Sequence, residues 1–317
     1  MGAPMPYDFL LRNVIAGLVT ALLTVSVLLS PFAMIPSIFV GLAWGLYSAI
    51  ASTVISIILL GLWLNIGLAL GMAITIGLPA VLFVRLALLS RTAQPNNENA
   101  SSTNPDNSVD ERIYYPPERL IIWSVAFCAI FSFLAFGLSA NNTGGLPAVL
   151  QTLILGNENF IRDIETLYQI ELTDNLVKIL AETILVLSPL TWMLIILGSL
   201  QTAQTIAKFF KVNIRPTPDY TVMELPGILE FVLAGLILLI FLSSGWVSVF
   251  FLVLVCLCLT AYFLLGLAVI HAISRTWNGR SVFITAIYFI VFLVPWVAIL
   301  VSIAGLIESR IGIRSRF

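Results

Sequence analysis

FVLAGLILLIFLSSGWVSVFFLVLVCLCLTAYFLLGLAVI, residues 231–270, contains no Asp, Glu, Lys, Arg or His. A bilayer's hydrocarbon core is ~30 Å thick and takes about 20 apolar residues of helix. The run therefore holds two spans, with Ser243-Ser244-Gly245 as the turn between them. The rest of the chain has the same character. Of its 317 residues 60% are hydrophobic and 10% charged, and mean hydropathy is +1.05, where soluble domains run about 45–50% apolar and about 25% charged. Its 15 basic and 16 acidic residues could not cover the surface of a water-soluble globule of this size. A net charge of -1 without any Lys/Arg-rich run removes the electrostatic footprint of a nucleic-acid binder. The composition implies an integral membrane protein.

Outward from that run, the other charge-free stretches can be assigned in turn. Asn13 to Val84 holds three comfortable spans or four short ones, punctuated at Ser30-Pro31, Pro36, Gly45 and Gly61 to Gly67. Leu120–Leu138, Thr183–Ile206 and Ser281–Ile307 give one span each. The expected architecture is a single all-α polytopic domain over 1–317, a transmembrane bundle of eight spans, alternatively nine. Its parts are three or four spans in 13–89, a flexible cytoplasmic loop over 90–119, and a span at 120–138. An external amphipathic helical hairpin follows at 146–182, then spans at 183–206, two in 227–271 and one at 281–307.

The loop is predicted from its Asn, Ser and Pro content and lack of apolar periodicity. The hairpin is predicted from Phe160, Ile161, Ile164, Leu167 and Tyr168, one helical stripe, and a second stripe of Leu176, Val177, Leu180 and Ile184 after an N-cap at Thr173-Asp174. Basic residues at span ends orient the chain. Arg85, Arg91, Arg112 and Arg119, then Lys208, Lys211 and Arg215, then Arg275 and Arg280 mark three cytoplasmic loops and leave the hairpin outside. Arg310, Arg314 and Arg316 follow only one apparent span after a cytoplasmic turn, so either they lie outside or the last run re-enters. A cytoplasmic N-terminus favours four early spans and nine in all; an external one favours three and eight. No cleaved signal is expected, because the first apolar run is too long for one, and Pro6 spoils a myristoylation site at Gly2.

Catalytic constellations are hard to find. There is one histidine, and no His-Glu-x-x-His, no phosphate-binding loop and no dinucleotide glycine fingerprint. Ser243-Ser244 and His271 sit about 40 Å apart along one helix. Cys128, Cys256 and Cys258 lie in apolar runs without metal-ligand spacing. No enzyme activity, metal or cofactor is expected. Polar groups at membrane depth are functional candidates by default: Glu230 one turn into its span, Gln201 (with Gln204) near a span end, and His271 at another end, each also readable as an interfacial or helix-bonding side chain. Asn65 reads as a turn residue. Gly41, Gly45 and Ala49, and Gly67 and Gly71, form small-residue ridges suited to helix packing or to docking a partner subunit.

Several short blocks carry a resemblance. Gly77-Leu78-Pro79-Ala80 running to Arg85 through Arg91, Tyr115-Pro116-Pro117-Glu118-Arg119-Leu120, Arg215-Pro216-Thr217-Pro218-Asp219 before Leu225-Pro226, Gly266 through His271, and Gly305-Leu306-Ile307-Glu308 through Arg314 resemble the YybS-like predicted bacterial membrane proteins, domain of unknown function 2232, of alphaproteobacterial type. That family is similar in pattern to the substrate-binding membrane subunits of energy-coupling-factor transporters. The resemblance implies an inner-membrane, multi-pass protein that partners the lipid bilayer, a transmembrane coupling subunit and ATPases, and binds a small molecule. This chain has Ile228, Leu229 and Glu230 where the family pattern would place an aromatic, so Glu230 borrows no role from the family. The competing expectation is a non-transporting scaffold or envelope assembly factor, in which hairpin and loop recruit other proteins.

Overall fold

The computed structural model describes residues 6–92, 112–218, 223–312 and 314, and is nearly all helical. Six helical stretches are long and apolar enough to cross a membrane: Tyr7–Val25, Leu46–Trp63, Ile66–Leu88, Pro117–Leu138, Asp174–Phe209 and Trp246–Ile273. Shorter apolar helices accompany them at Ser30–Trp44, Gly145–Leu155, Ile228–Leu242 and Arg280–Leu293. An expected total of eight or nine spans would draw its remainder from these shorter helices. Large apolar side chains face outward throughout, Leu138 at 84% and Phe292 at 83% exposure among them, as lipid contact requires and water would penalise. The chain divides into two compact units, 1–120 with 195–218, and 121–194 with 219–317.

The first unit contains α1 (Pro6–Val25), α2 (Met34–Trp44), α3 (Leu46–Trp63), α4 (Ile66–Met72) and α5 (Leu78–Leu88). Punctuation in the sequence becomes turns. Gly45 joins α2 to α3 at φ +99°, a conformation side chains resist. Asn65 caps α4 by accepting the Leu68 N–H at 2.8 Å. Asn65→Ala is expected to cost about 1 kcal/mol, read as a lowered unfolding midpoint in detergent. A π-turn at Ala73–Gly77 links α4 to α5, where Pro79 cannot donate to the preceding turn. Small residues bring these helices together: a Cβ on Gly17 would lie 2.7 Å from the Ser52 carbonyl oxygen, and one on Gly41 2.7 Å from Val84 and 2.8 Å from Ala49. The buried polar groups are mostly small hydroxyls, with Thr20 and Ser37 paired at 3.1 Å.

Loop 90–119 is anchored by structure the sequence did not foretell. Strands β1 (Ser90–Thr92) and β2 (Arg112–Tyr114) pair antiparallel, Arg91 opposite Ile113. The expected flexible stretch, 93–111, lies outside the described residues.

In the second unit, α6 (Pro117–Leu138, from Ile121 onward) precedes α7 (Gly145–Leu155), α8 (Glu158–Tyr168) and α9 (Asp174–Phe209, as far as Leu194). Asn157 caps α8, accepting the Phe160 N–H at 3.1 Å, and Gln169 at φ +54° ends it. Beyond it the second predicted stripe and the next span are one continuous helix of 36 residues, because nothing between Glu182 and Thr183 breaks it. Ile154 of α7 packs on Val177 and Ala181 of α9. Phe127, Phe131 and Trp192 form an aromatic cluster with centroids 4.7–5.2 Å apart.

The unit closes with α10 (Ile228–Leu242), α11 (Trp246–Ile273), α12 (Arg280–Leu293) and α13 (Val297–Ile311). The run 281–307, read in sequence as one span, is broken at Val294-Pro295-Trp296, where proline withholds its N–H.

Candidate functional site: an ionic junction against helix α11

Helix α11 has 28 residues, about 42 Å of helix, and α10 and α13 have 15 each, about 22 Å apiece. The two short helices divide the long one between them. α10 packs antiparallel to α11 across the Ser243–Gly245 turn, with Gly245 at φ +61°. α13 packs antiparallel on the other half. A Cβ on Gly266 would fall on the Val301 carbonyl, and one on Gly305 on the Tyr262 carbonyl. One turn beyond Gly305, Ser309 is level with Cys258, half-way along α11. There the C-terminal end of α13 meets the N-terminal end of α10.

The meeting point is ionic. Ser309 donates to Glu230 Oε1 at 2.6 Å. Arg310 forms an ion pair with the other oxygen, and its guanidinium stands 5.8 Å from the centre of the Phe231 ring. The Glu230 side chain is 10% exposed and that of Arg310 64%. Next to it Glu308, 4% exposed, takes the Arg314 guanidinium at 2.7 Å and lies within 3.4 Å of its backbone N–H. Arg314 also donates to the Met223 carbonyl at 2.6 Å, tying in the segment before α10. A carboxylate at the start of α10 and guanidiniums at the end of α13 each suit the local helix dipole. Tyr262 is fully buried, within electrostatic reach of Glu230 and Arg310, and its hydroxyl has no hydrogen-bond partner among the described residues. One carboxylate, one guanidinium and one serine hydroxyl thus converge. Such a set can exchange its internal ion pair for a small polar ligand without leaving a net charge unpaired.

His271 and Gln201 lie elsewhere. His271 is nine residues past Tyr262 on α11, about 13 Å further along its axis, and its Nε2 is 3.1 Å from the Tyr288 hydroxyl of α12. Gln201 belongs to the first unit, exposed on α9, its carbonyl accepting the Thr205 hydroxyl. Its neighbour Gln204 is buried and donates to the Arg215 carbonyl at 2.9 Å, as does Asn213 at 2.7 Å. The buried Arg215 donates to the Tyr115 carbonyl at 2.7 Å; Tyr114 donates to the Ile214 carbonyl at 3.0 Å, and Ile214 N–H to Leu42 at 3.1 Å. These bonds knot together the ends of α2 and α9 and the start of α6. Gln204→Ala is expected to cost about 1 kcal/mol by removing one of the two donors to the Arg215 carbonyl; paired melting curves of wild type and variant would check this.

Of the small-residue ridges, Gly41 and Ala49 are buried in contacts between helices, and Gly45 forms a turn. Gly67 and Gly71 are exposed on α4. The close approaches at Gly266 and Gly305 form no ridge in the sequence, because their partner positions lie about forty residues apart in the chain. Among the described residues no group of three His, Cys, Asp or Glu side chains is placed to hold a metal ion.

Outward-facing apolar helices, six of them of spanning length, define an integral α-helical membrane protein. The chain belongs to the family of predicted membrane proteins of domain of unknown function 2232, whose sequence model matches residues 114–309. That stretch includes Arg215, Glu230, all of α11, and Gly305 through Ser309. No curated protein and no solved structure matches the chain.

Proposed function

We propose that the protein is a small-molecule-binding membrane subunit of an ABC-type transporter of the energy-coupling-factor kind, an inner-membrane protein of the alphaproteobacterial type. The observation that carries this reading is the Glu230 junction. Two half-length helices end against the middle of a spanning helix, with charged groups and a serine hydroxyl at their tips. Interrupted helices whose ends present charge at mid-membrane are a recurrent way for transport proteins to hold polar cargo. Glu230 is the primary ligand group in this proposal. His271, at the far end of α11 and bonded to Tyr288, takes no part in that junction. Gly67 and Gly71, exposed on α4, are offered to the coupling subunit that connects to ATPases. The protein itself is not an enzyme.

Four early passes with a cytoplasmic N-terminus suit this account, α2 included. Arg12, near the start of α1, stacks 4.4 Å from the Trp44 ring at the end of α2, and Leu89 at the end of α5 accepts the Tyr115 N–H at 2.9 Å. With Ile214 bonded to both Leu42 and Tyr114, four helical passes return the chain to one end of its first unit. The scaffold reading draws on a different observation: α8 has no buried residue and presents Glu158, Arg162 and Asp163 outward.

The test is affinity purification of the tagged chain from its own host in mild detergent, with mass spectrometry of co-purifying subunits and of metabolites released on denaturation. Wild type should carry a coupling subunit with ATPases and a stoichiometric metabolite, and Glu230→Gln should retain the subunits and lose the metabolite. Envelope proteins in place of both would overturn the transporter reading in favour of the scaffold.

A further inference from the structure

At the base of the 90–119 loop lies an open recess of about 300 Å³, lined by Ser90, Arg91, Ile113, Tyr114, Tyr115 and Arg119 among others. Its floor is fixed by backbone bonds. Tyr115 N–H is held by Leu89 and its carbonyl by the buried Arg215, while β1 and β2 form the adjoining wall. Among the described residues the lining contains two arginines and no acidic residue. Among the described residues neither Arg91 nor Arg119 makes an ion pair; Arg119 instead stands 5.7 Å from the centre of the Tyr115 ring. The recess opens where one spanning helix, Ile66–Leu88, ends and another, Pro117–Leu138, begins. That is the depth at which phospholipid headgroups lie.

We infer that this recess is a phosphate-binding site, filled by the headgroup of an anionic phospholipid. Planar guanidiniums lining one recess can each present two N–H groups to phosphate oxygens, and basic pockets beside spanning helices suit anionic headgroups. The tyrosines supply the amphipathic rim usual at the membrane interface. A zwitterionic choline headgroup would place its cation against the arginines and bind less well. The site is independent of the Glu230 junction and of any transport role.

The experiment is native mass spectrometry of the full-length protein in detergent, titrated separately with phosphatidylglycerol and phosphatidylcholine. Wild type should retain phosphatidylglycerol in preference to phosphatidylcholine. The double variant Arg91→Ala/Arg119→Ala should bind phosphatidylglycerol about thirtyfold more weakly, and Arg162→Ala on α8 should bind as wild type does. Arg91→Lys/Arg119→Lys keeps the charge and should recover most of the affinity, which separates loss of charge from loss of fold. A competition arm with inorganic phosphate identifies the source: phosphatidylglycerol that stays bound supports a lipid site, whereas displacement at millimolar phosphate supports a site for a soluble phosphate compound. Equal phosphatidylglycerol binding by wild type and the double alanine variant would overturn the inference.

Discussion

Gly305→Leu and Gly266→Leu are expected to unseat α13 from α11 and to abolish recovery of monodisperse protein. Each glycine faces a backbone carbonyl of the other helix so closely that a single added Cβ would overlap the carbonyl oxygen. Backbone cannot rotate away as a long side chain can, so even alanine must push the helices apart. Gly305→Ala should cost on the order of 3 kcal/mol, lowering the unfolding midpoint in detergent. Gly71→Ala is the control: nothing lies within 4 Å of a Cβ there, and alanine favours helix over glycine by about 1 kcal/mol. A Gly305→Ala protein melting with wild type would mean that α13 does not pack on α11 at this register.

Glu308→Ala should be the most damaging change to a charged side chain, at about 3–5 kcal/mol. Glu308 is buried, and the Arg314 side chain is 11% exposed. Removing the carboxylate takes the ionic partner from a mostly desolvated guanidinium. The double variant Glu308→Met/Arg314→Leu should recover much of the loss, since replacing both members of a buried pair with apolar groups removes the desolvation penalty with the attraction. A thermodynamic cycle over wild type, Glu308→Met, Arg314→Leu and the double variant would check it; additive losses would mean the pair is not coupled. Glu230→Gln should be mild by comparison, because Arg310 is largely exposed and exposed pairs contribute about 0–1 kcal/mol. That contrast makes Glu230→Gln suitable for separating ligand binding from stability.

Much of this architecture was legible in the chain. The 231–270 run divides at Gly245, and Pro31, Gly45 and Asn65 punctuate the first helices where turns occur. The stripe from Phe160 to Tyr168 is α8, capped by Asn157. What hid from sequence reading depended on contacts between distant segments. The run 281–307 has the length and apolarity of one span, and only Pro295 signalled that it is two helices. Once α13 folds back, Ser309 and Arg310 leave what reads as a polar tail and meet Glu230, about eighty residues earlier. Gly266 and Gly305 make that return possible, yet as single glycines in separate apolar runs they form no ridge. Glu230 was identifiable by its depth, but its partners were not. The β1–β2 ribbon was invisible because Ser90–Thr92 and Arg112–Tyr114 are too short to carry an alternating pattern.

The central claim is that α10 and α13 meet end to end half-way along α11, with Glu230 against Ser309. Its most direct measurement is thiol cross-linking in native membranes. Glu230→Cys/Ser309→Cys, made with Cys128, Cys256 and Cys258 replaced by alanine, would be treated with a short bifunctional methanethiosulfonate and digested for mass spectrometry. The account predicts an intramolecular link between positions 230 and 309, and none when position 230 is paired with a cysteine at His271. A link from 230 to 271, or no link from 230 to 309, would contradict it.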